Sequence, residues 1–166
     1  MANLYIMCGL AFSGKSTLSC KIAEYTGAKR IAFDELWVEK EKEKPISKGD
    51  EGWKFIREAG LREVAKALSE GISVVYDDNN PRFEHREEVR KIAERLGIKN
   101  LVIYLNTPLE IIKSRETANR NTGERHEVEP LNFQKVANDL EVPTSKENFI
   151  EFTEETDLND FLQKIK

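Results

Sequence analysis

The chain has 166 residues, of which 39% are hydrophobic and 34% charged, and its formal net charge is −4. That length supports one substantial core and is too short for two comfortable domains, so a single domain over 1–166 is expected. A net negative balance argues against a protein built to coat a polyanion, and any nucleic-acid contact would have to be local.

In chain order, the apolar run Leu4-Tyr5-Ile6-Met7-Cys8 predicts a first strand. Directly after it, Gly9-Leu10-Ala11-Phe12-Ser13-Gly14-Lys15-Ser16 spells a complete G-x-x-x-x-G-K-[ST] phosphate-binding loop, and Thr17-Leu18-Ser19-Cys20-Lys21-Ile22-Ala23 continues with helical spacing. Glycines at both ends let the backbone fold around a phosphate chain, so that amide N–H groups and the positive end of the next helix converge on it. Residues 9–17 are therefore the expected nucleotide contacts. Lys15 can reach the β/γ-phosphates, and the Ser16 hydroxyl can take one position on Mg²⁺. Cys8 and Cys20 flank the loop, where both fit as small buried hydrophobes and a disulfide would fight the loop geometry, which points to a reducing cytoplasm. The N-terminal run does not read as a signal peptide, and no later segment has the length to span a membrane.

Arg30 to Phe33 predicts a second strand, which puts the Asp34 carboxylate at its carboxyl end. A carboxylate at that rim can accept the proton of an attacking substrate hydroxyl. It can equally cap the turn Glu35-Leu36-Trp37-Val38 or hold Mg²⁺ through water. The alternating run Glu39 to Lys44 reads as a solvated face or a loop. Phe55, Ile56, Ala59, Val64, Ala65 and Leu68 recur at helical spacing before Gly71. A third strand, Ser73 to Tyr76, runs into Asp77-Asp78-Asn79-Asn80-Pro81. Asp77 is the candidate second metal-site residue beside Ser16, while Asp78, Asn79 and Asn80 are also ordinary turn chemistry ahead of a helix near Arg82. That helix carries Phe83, Val89, Ile92, Ala93 and Leu96 and stops at Gly97.

Leu101 to Leu105 predicts a fourth strand. Thr107-Pro108-Leu109-Glu110 then reads as a helix start, with a threonine cap, a proline in the first helical position and a capping-box glutamate. The helix leads into Lys113, Arg115, Arg120 and Asn121-Thr122-Gly123-Glu124-Arg125, a basic segment with a glycine at its tip. Such a segment, about 112–128, is a candidate lid whose Arg115 and Arg120, and less directly Arg125, could stabilise charge on a transferring phosphoryl group. The same arginines could simply pair with Glu110, Glu116 and Glu124 on the surface. A weaker strand at Asn148 to Phe152 and a closing helix over Asp157 to Ile165 complete the pattern. Alternation of strand and helix predicts an α/β fold with a parallel sheet, whose chemistry gathers at the carboxyl ends of the strands.

Taken together, the loop, Asp34 placed 19 residues (34 − 15) beyond Lys15, Val-Val-Tyr-Asp-Asp-Asn-Asn with Arg86 downstream, Leu-Gly, Tyr-Leu-Asn-Thr-Pro-Leu-Glu and Arg115 resemble the kinase domain of polynucleotide 5′-hydroxyl kinases. The order is similar in zeta toxins and chloramphenicol phosphotransferases, and the resemblance runs from Leu4 to about Pro143. It implies a three-layer P-loop NTPase fold with a five-stranded parallel sheet flanked by helices, a small helical lid, and ATP with Mg²⁺ as cofactors. It also implies Asp34 as general base, Lys15 and Ser16 on phosphate and Mg²⁺, Asp77 orienting magnesium or substrate, and Arg115 and Arg120 over the phosphates. Trp37, Asn79 and Arg86 are candidate substrate contacts. Where the polynucleotide-phosphorylating members have an arginine one turn after the aspartate, this chain has Trp37. With Trp53, that indole suggests an aromatic surface for a planar or apolar acceptor, or core packing. Three readings stay open: a kinase for a small or nucleoside-like alcohol, a polynucleotide or tRNA kinase, and a regulatory nucleotide-binding module.

Overall fold

The computed structural model describes residues 1–47, 49–123 and 128–166. Five strands, β1 (Asn3–Cys8), β2 (Lys29–Ala32), β3 (Val74–Asp77), β4 (Lys99–Leu105) and β5 (Phe149–Phe152), form one sheet in the order β2-β3-β1-β4-β5. Every pairing is parallel, with Ile6 of β1 opposite both Tyr76 of β3 and Val102 of β4. Seven described helices surround it: α1 (Lys15–Thr26), α2 (Phe33–Glu43), α3 (Asp50–Ser69), α4 (Phe83–Arg95), α5 (Leu109–Thr122), α6 (Pro130–Asn138) and α7 (Leu158–Ile165).

The layers follow from the two-residue period of the strands. Leu4, Ile6 and Cys8 of β1, with Val74 and Tyr76 of β3, pack against Val64 and Leu68 of α3 and Val89 and Ala93 of α4. Tyr5 and Met7, with Val75 and Ile103, face the other way onto Leu18 and Ile22 of α1 and Phe161, Leu162 and Ile165 of α7. A central parallel strand is covered on both faces, which is why β1 reads as an uninterrupted apolar run and not as an alternating one. A smaller cluster, Phe33, Leu36, Ile56 and Ala59, joins α2 to α3 beyond the edge of the sheet.

The strand and helix pattern expected from the sequence is present, with three corrections. Thr107 does not cap α5. Pro108 occupies the cap position with no side-chain cap bond, and the Thr107 hydroxyl donates instead to the Ser13 carbonyl at 2.9 Å. Cys20 is exposed on α1, whereas Cys8 is buried as expected, and both are free thiols. The segment taken as a lid is divided: α5 ends at Thr122, residues 124–127 with Arg125 lie outside the described residues, and a separate helix α6 follows. The Glu39 to Lys44 run forms the exposed end of α2, where Lys40 pairs with Glu39 and Glu43. Among the described residues no helix is long and apolar enough to cross a membrane.

Candidate nucleotide and acceptor site

In this strand order the chain leaves β1 toward β2 on one side and returns from β3 to β4 on the other. The carboxyl ends of β1 and β3 therefore flank a crevice. The loop between β1 and α1 lies there. Gly9, at φ 150°, donates its amide to the Asn79 carbonyl at 3.1 Å, and a Cβ on it would stand 3.1 Å from the Leu105 carbonyl oxygen. The position thus needs glycine for both backbone angle and space. Phe12 adopts φ 60°, a left-handed conformation unusual outside glycine, and Gly14 follows at φ 102°.

The outer side of this loop is held by α5. Arg115 Nη1 donates to the carbonyls of Phe12 (3.3 Å) and Ser13 (3.1 Å), while Thr107 Oγ1 also reaches the Ser13 carbonyl. In a trans peptide the N–H points opposite to the C=O, so anchoring the Ser13 carbonyl on that side turns the Gly14 amide away from α5. Arg115 Nη2 continues to the Glu154 carboxylate at 3.0 and 3.1 Å, tying the loop to the turn after β5. Arg115, expected over the phosphates, instead braces the outer side of the loop through main-chain carbonyls. Arg120, also expected there, pairs along its own helix with Glu116 at 2.8 Å on the exposed surface.

Lys15 is buried and donates to the Leu10 carbonyl at 2.6 Å. Burial lowers its pKa, and the carboxylates of Asp77, Asp78 and Asp34, with the Cys8 thiol, oppose that fall. The same three acids singled out at the ends of β2 and β3 thus share their field with one ammonium. Asp34 occupies the exposed first turn of α2 and does not cap it, because Ala32 fills the cap position. A cavity of about 290 Å³ beside Asp34 is lined by Glu35, Val38, Glu39 and Lys42.

Asp77, the last residue of β3, and Asp78 just beyond it turn opposite ways. Asp77, on the α1 side, is buried, and its Oδ2 accepts from Ser19 Oγ (2.7 Å) and from Arg30 Nη2 (2.7 Å) and Nε (3.1 Å). Asp78 accepts from the Asn79 amide at 2.7 Å and lies 3.6 Å from Arg57, which also bonds Glu88 and the His85 carbonyl. Burial raises the pKa of Asp78 against the pull of Arg57 and that amide. Ser16 is exposed in the first turn of α1. A serine hydroxyl and nearby carboxylate are the hard oxygen donors that suit Mg²⁺, which keeps most of its water and takes few protein ligands. All three of the bonds to Asp77 fall on one carboxylate oxygen, Oδ2.

Of the candidate substrate contacts, Asn79 lies at the crevice through its backbone bond to Gly9. Trp37 and Phe33 pack on Trp53, with ring centroids 4.7 and 5.4 Å away, and Trp53 remains 42% exposed. Arg86 requires correction. It is fully buried, forms a bidentate pair with Glu147 at 2.7 and 2.8 Å, and donates to the Asn80 and Pro81 carbonyls at 3.0 Å each, so it braces the β3 exit and does not meet a substrate. Arg30 and Arg57 escaped sequence reasoning. Arg30 falls on the same face as Asp77 through the β2 to β3 register, in which Ala32 stands opposite that acid, a pairing the sequence does not spell out. Arg57 and Glu147 carry no sequence signal either.

Fold and loop together define a P-loop NTPase domain. More particularly, the chain belongs to the AAA domain family, whose profile matches residues 4–143. It is 28% identical over 171 aligned positions to the L-seryl-tRNA(Sec) kinase of Methanococcus maripaludis, covering 98% of this chain and 64% of that one. It is also 30% identical over 118 positions to the adenylyl-sulfate kinase of Myxococcus xanthus, covering 65% of this chain and 60% of that one. The chain thus spans less than two thirds of the length of either relative. In fold it is similar to Chaetomium thermophilum Kti12, solved in complex with ADP-AlF3, with a TM-score of 0.76 at 20% identity over 98% of this chain and 96% of that one.

Proposed function

We propose that this domain is an ATP-dependent kinase that moves the γ-phosphate to a hydroxyl of a small-molecule or nucleoside-like acceptor. The observation that carries the reading is the phosphate-binding loop with its buried Lys15 at the carboxyl edge of the sheet, where Asp77 ends β3 and Asp34 sits in the first turn of α2 directly after β2. Two relatives, each named a kinase, support it, one acting on a tRNA-borne group and the other on a small nucleotide by their names.

In this reading the loop amides and the α1 terminus hold the triphosphate, and Lys15 exchanges the Leu10 carbonyl for the β/γ-phosphate oxygens. Ser16 would hold Mg²⁺ directly and Asp77 through water; the ion, when bound, offsets phosphate charge. Asp34 accepts the proton as the acceptor oxygen bonds to the γ-phosphorus and the bond to the ADP oxygen breaks. Arg115 braces the phosphate-binding loop from its outer side through the Phe12 and Ser13 carbonyls, keeping the loop amides turned toward the phosphates. Trp37 and Trp53 offer a planar face to an acceptor lying near the cavity beside Asp34. The two free thiols fit a cytoplasmic enzyme.

The test is acceptor-stimulated ADP release across a panel of hydroxyl compounds, repeated with Asp34→Asn. Loss of a general base lowers kcat by about 10²- to 10⁴-fold while nucleotide affinity stays within about twofold. Undiminished transfer by the variant would remove Asp34 from the chemistry. A second reading, phosphorylation of a nucleic-acid end or of a tRNA, is favoured by the tRNA kinase relative. Transfer of labelled phosphate to a 5′-hydroxyl oligonucleotide or a charged tRNA would establish it. Hydrolysis that no acceptor stimulates would instead mark a regulatory module.

A further inference from the structure

Arg30 enters the crevice from β2 and makes contacts to three different elements. Its Nε lies 2.8 Å from Ser19 Oγ of α1, its Nε and Nη2 lie 3.1 and 2.7 Å from Asp77 Oδ2 of β3, and its Nη1 lies 2.5 Å from Glu35 Oε1 in the first turn of α2. Its side chain is 17% exposed and that of Asp77 only 4%, so the Arg30 to Asp77 pair is largely shielded from solvent. The Glu35 contact, on a side chain 71% exposed, is the weaker one. Asp77 is therefore an acid that already has a cation.

We propose that Arg30 is a positioning residue which holds the Asp77 carboxylate in a single orientation and sets the divalent-cation affinity of the site. The inference rests on reading the loop as a Mg²⁺-nucleotide site, though not on Asp34 as base. A guanidinium bonded to one carboxylate oxygen fixes the rotation of the carboxyl group and leaves its other oxygen for a water of the metal shell. It also offsets the charge that would otherwise draw the metal inward. With the guanidinium in place Mg²⁺ is bound modestly and reached through water. Without it, Asp77 is an uncompensated buried carboxylate that pulls a divalent cation more strongly.

The experiment titrates Mg²⁺ and follows binding of a fluorescent ADP analogue, a readout that requires no phosphate transfer. For Arg30→Met the half-saturating Mg²⁺ concentration falls by about fivefold or more, as expected when the carboxylate charge of Asp77 is no longer offset. Arg30→Lys, which keeps the charge, stays within about twofold of the unsubstituted protein. Should the methionine variant fail to fold, Arg30→Gln retains hydrogen-bond donors without the charge and carries the same expectation. In an Asp77→Asn background, removing Arg30 leaves the Mg²⁺ requirement unchanged. A half-saturation that stays constant or rises in a folded Arg30→Met or Arg30→Gln variant overturns the proposal. Failure of the Asp34→Asn test would remove the general base and leave this cation shift intact, so the two readings fail separately.

Discussion

Asp77 and Asp78 are chemically identical neighbours that the alternation of side chains along extended backbone delivers to different fates. The first is offset by Arg30 and Ser19. The second is governed by burial, which raises its pKa from 3.8 despite Arg57 at 3.6 Å. An acid whose folded pKa exceeds its unfolded one stabilises the fold below the unfolded value and loses that contribution as pH rises through the folded value. Asp78→Asn is therefore expected to raise Tm relative to the unsubstituted chain at pH 7 and to leave it nearly unchanged at pH 3.5, measured by calorimetry. An equal shift at both pH values would mean that desolvation is not the cause. Sequence alone singled out Asp77 as the metal-site candidate and read Asp78 with the turn, but the cation each acid meets, Arg30 or Arg57, depends on which helix its side chain faces. Cys8 illustrates the same point: burial pushes its thiol up to about 11, while Cys20, twelve residues later (20 − 8), is exposed.

At the scale of elements, α3 approaches its surroundings closely at two glycines. At Gly60 a Cβ would stand 3.2 Å from the Tyr76 ring, which lets the helix lie close on β3. At Gly52 a Cβ would stand 2.0 Å from the Ser47 carbonyl oxygen and 2.8 Å from the Trp37 ring. Backbone cannot yield there as a flexible side chain would. Gly52→Ala should therefore destabilise the protein by about 1–3 kcal/mol in urea denaturation, and raise KM for the acceptor through displacement of Trp37. A neutral effect on both would show that the 47–52 approach is loose. Elements were the most legible level of the sequence. The two longest apolar runs, Leu4 to Cys8 and Leu101 to Leu105, became interior strands because parallel strands covered on both faces cannot hide their composition. Thr107 misled because a capping signature is a local inference, and its hydroxyl found a tertiary partner in Ser13. Helix α6 was not separated from the basic segment before it; its apolar residues are only partly covered, and Leu131 is exposed.

For the whole molecule, the buried Arg86 to Glu147 pair joins α4 to the segment leading into β5 across 61 positions of chain. No periodicity or motif could have linked them. Removing one partner leaves an uncompensated buried charge, so Arg86→Met or Glu147→Leu should each cost about 3–5 kcal/mol, with the double substitution recovering much of the loss. Additive single losses in a double-mutant cycle would contradict that coupling. The same interior position of charge explains why Arg86, despite its place in a familiar motif order, serves the frame and not the acceptor.

Strand β1 is third in the sheet although it is made first, and its two neighbours begin only at Val74 and Lys99. A ribosome therefore releases Leu4 to Cys8 long before either flanking strand has been translated. Until then this hydrophobic stretch, with the glycine loop behind it, has only transient company. Slowing elongation between the codons for Gly27 and Ser73 would prolong that unprotected interval. The hazard of clumping during synthesis is thus concentrated at the very stretch that later becomes the best-sheltered part of the molecule.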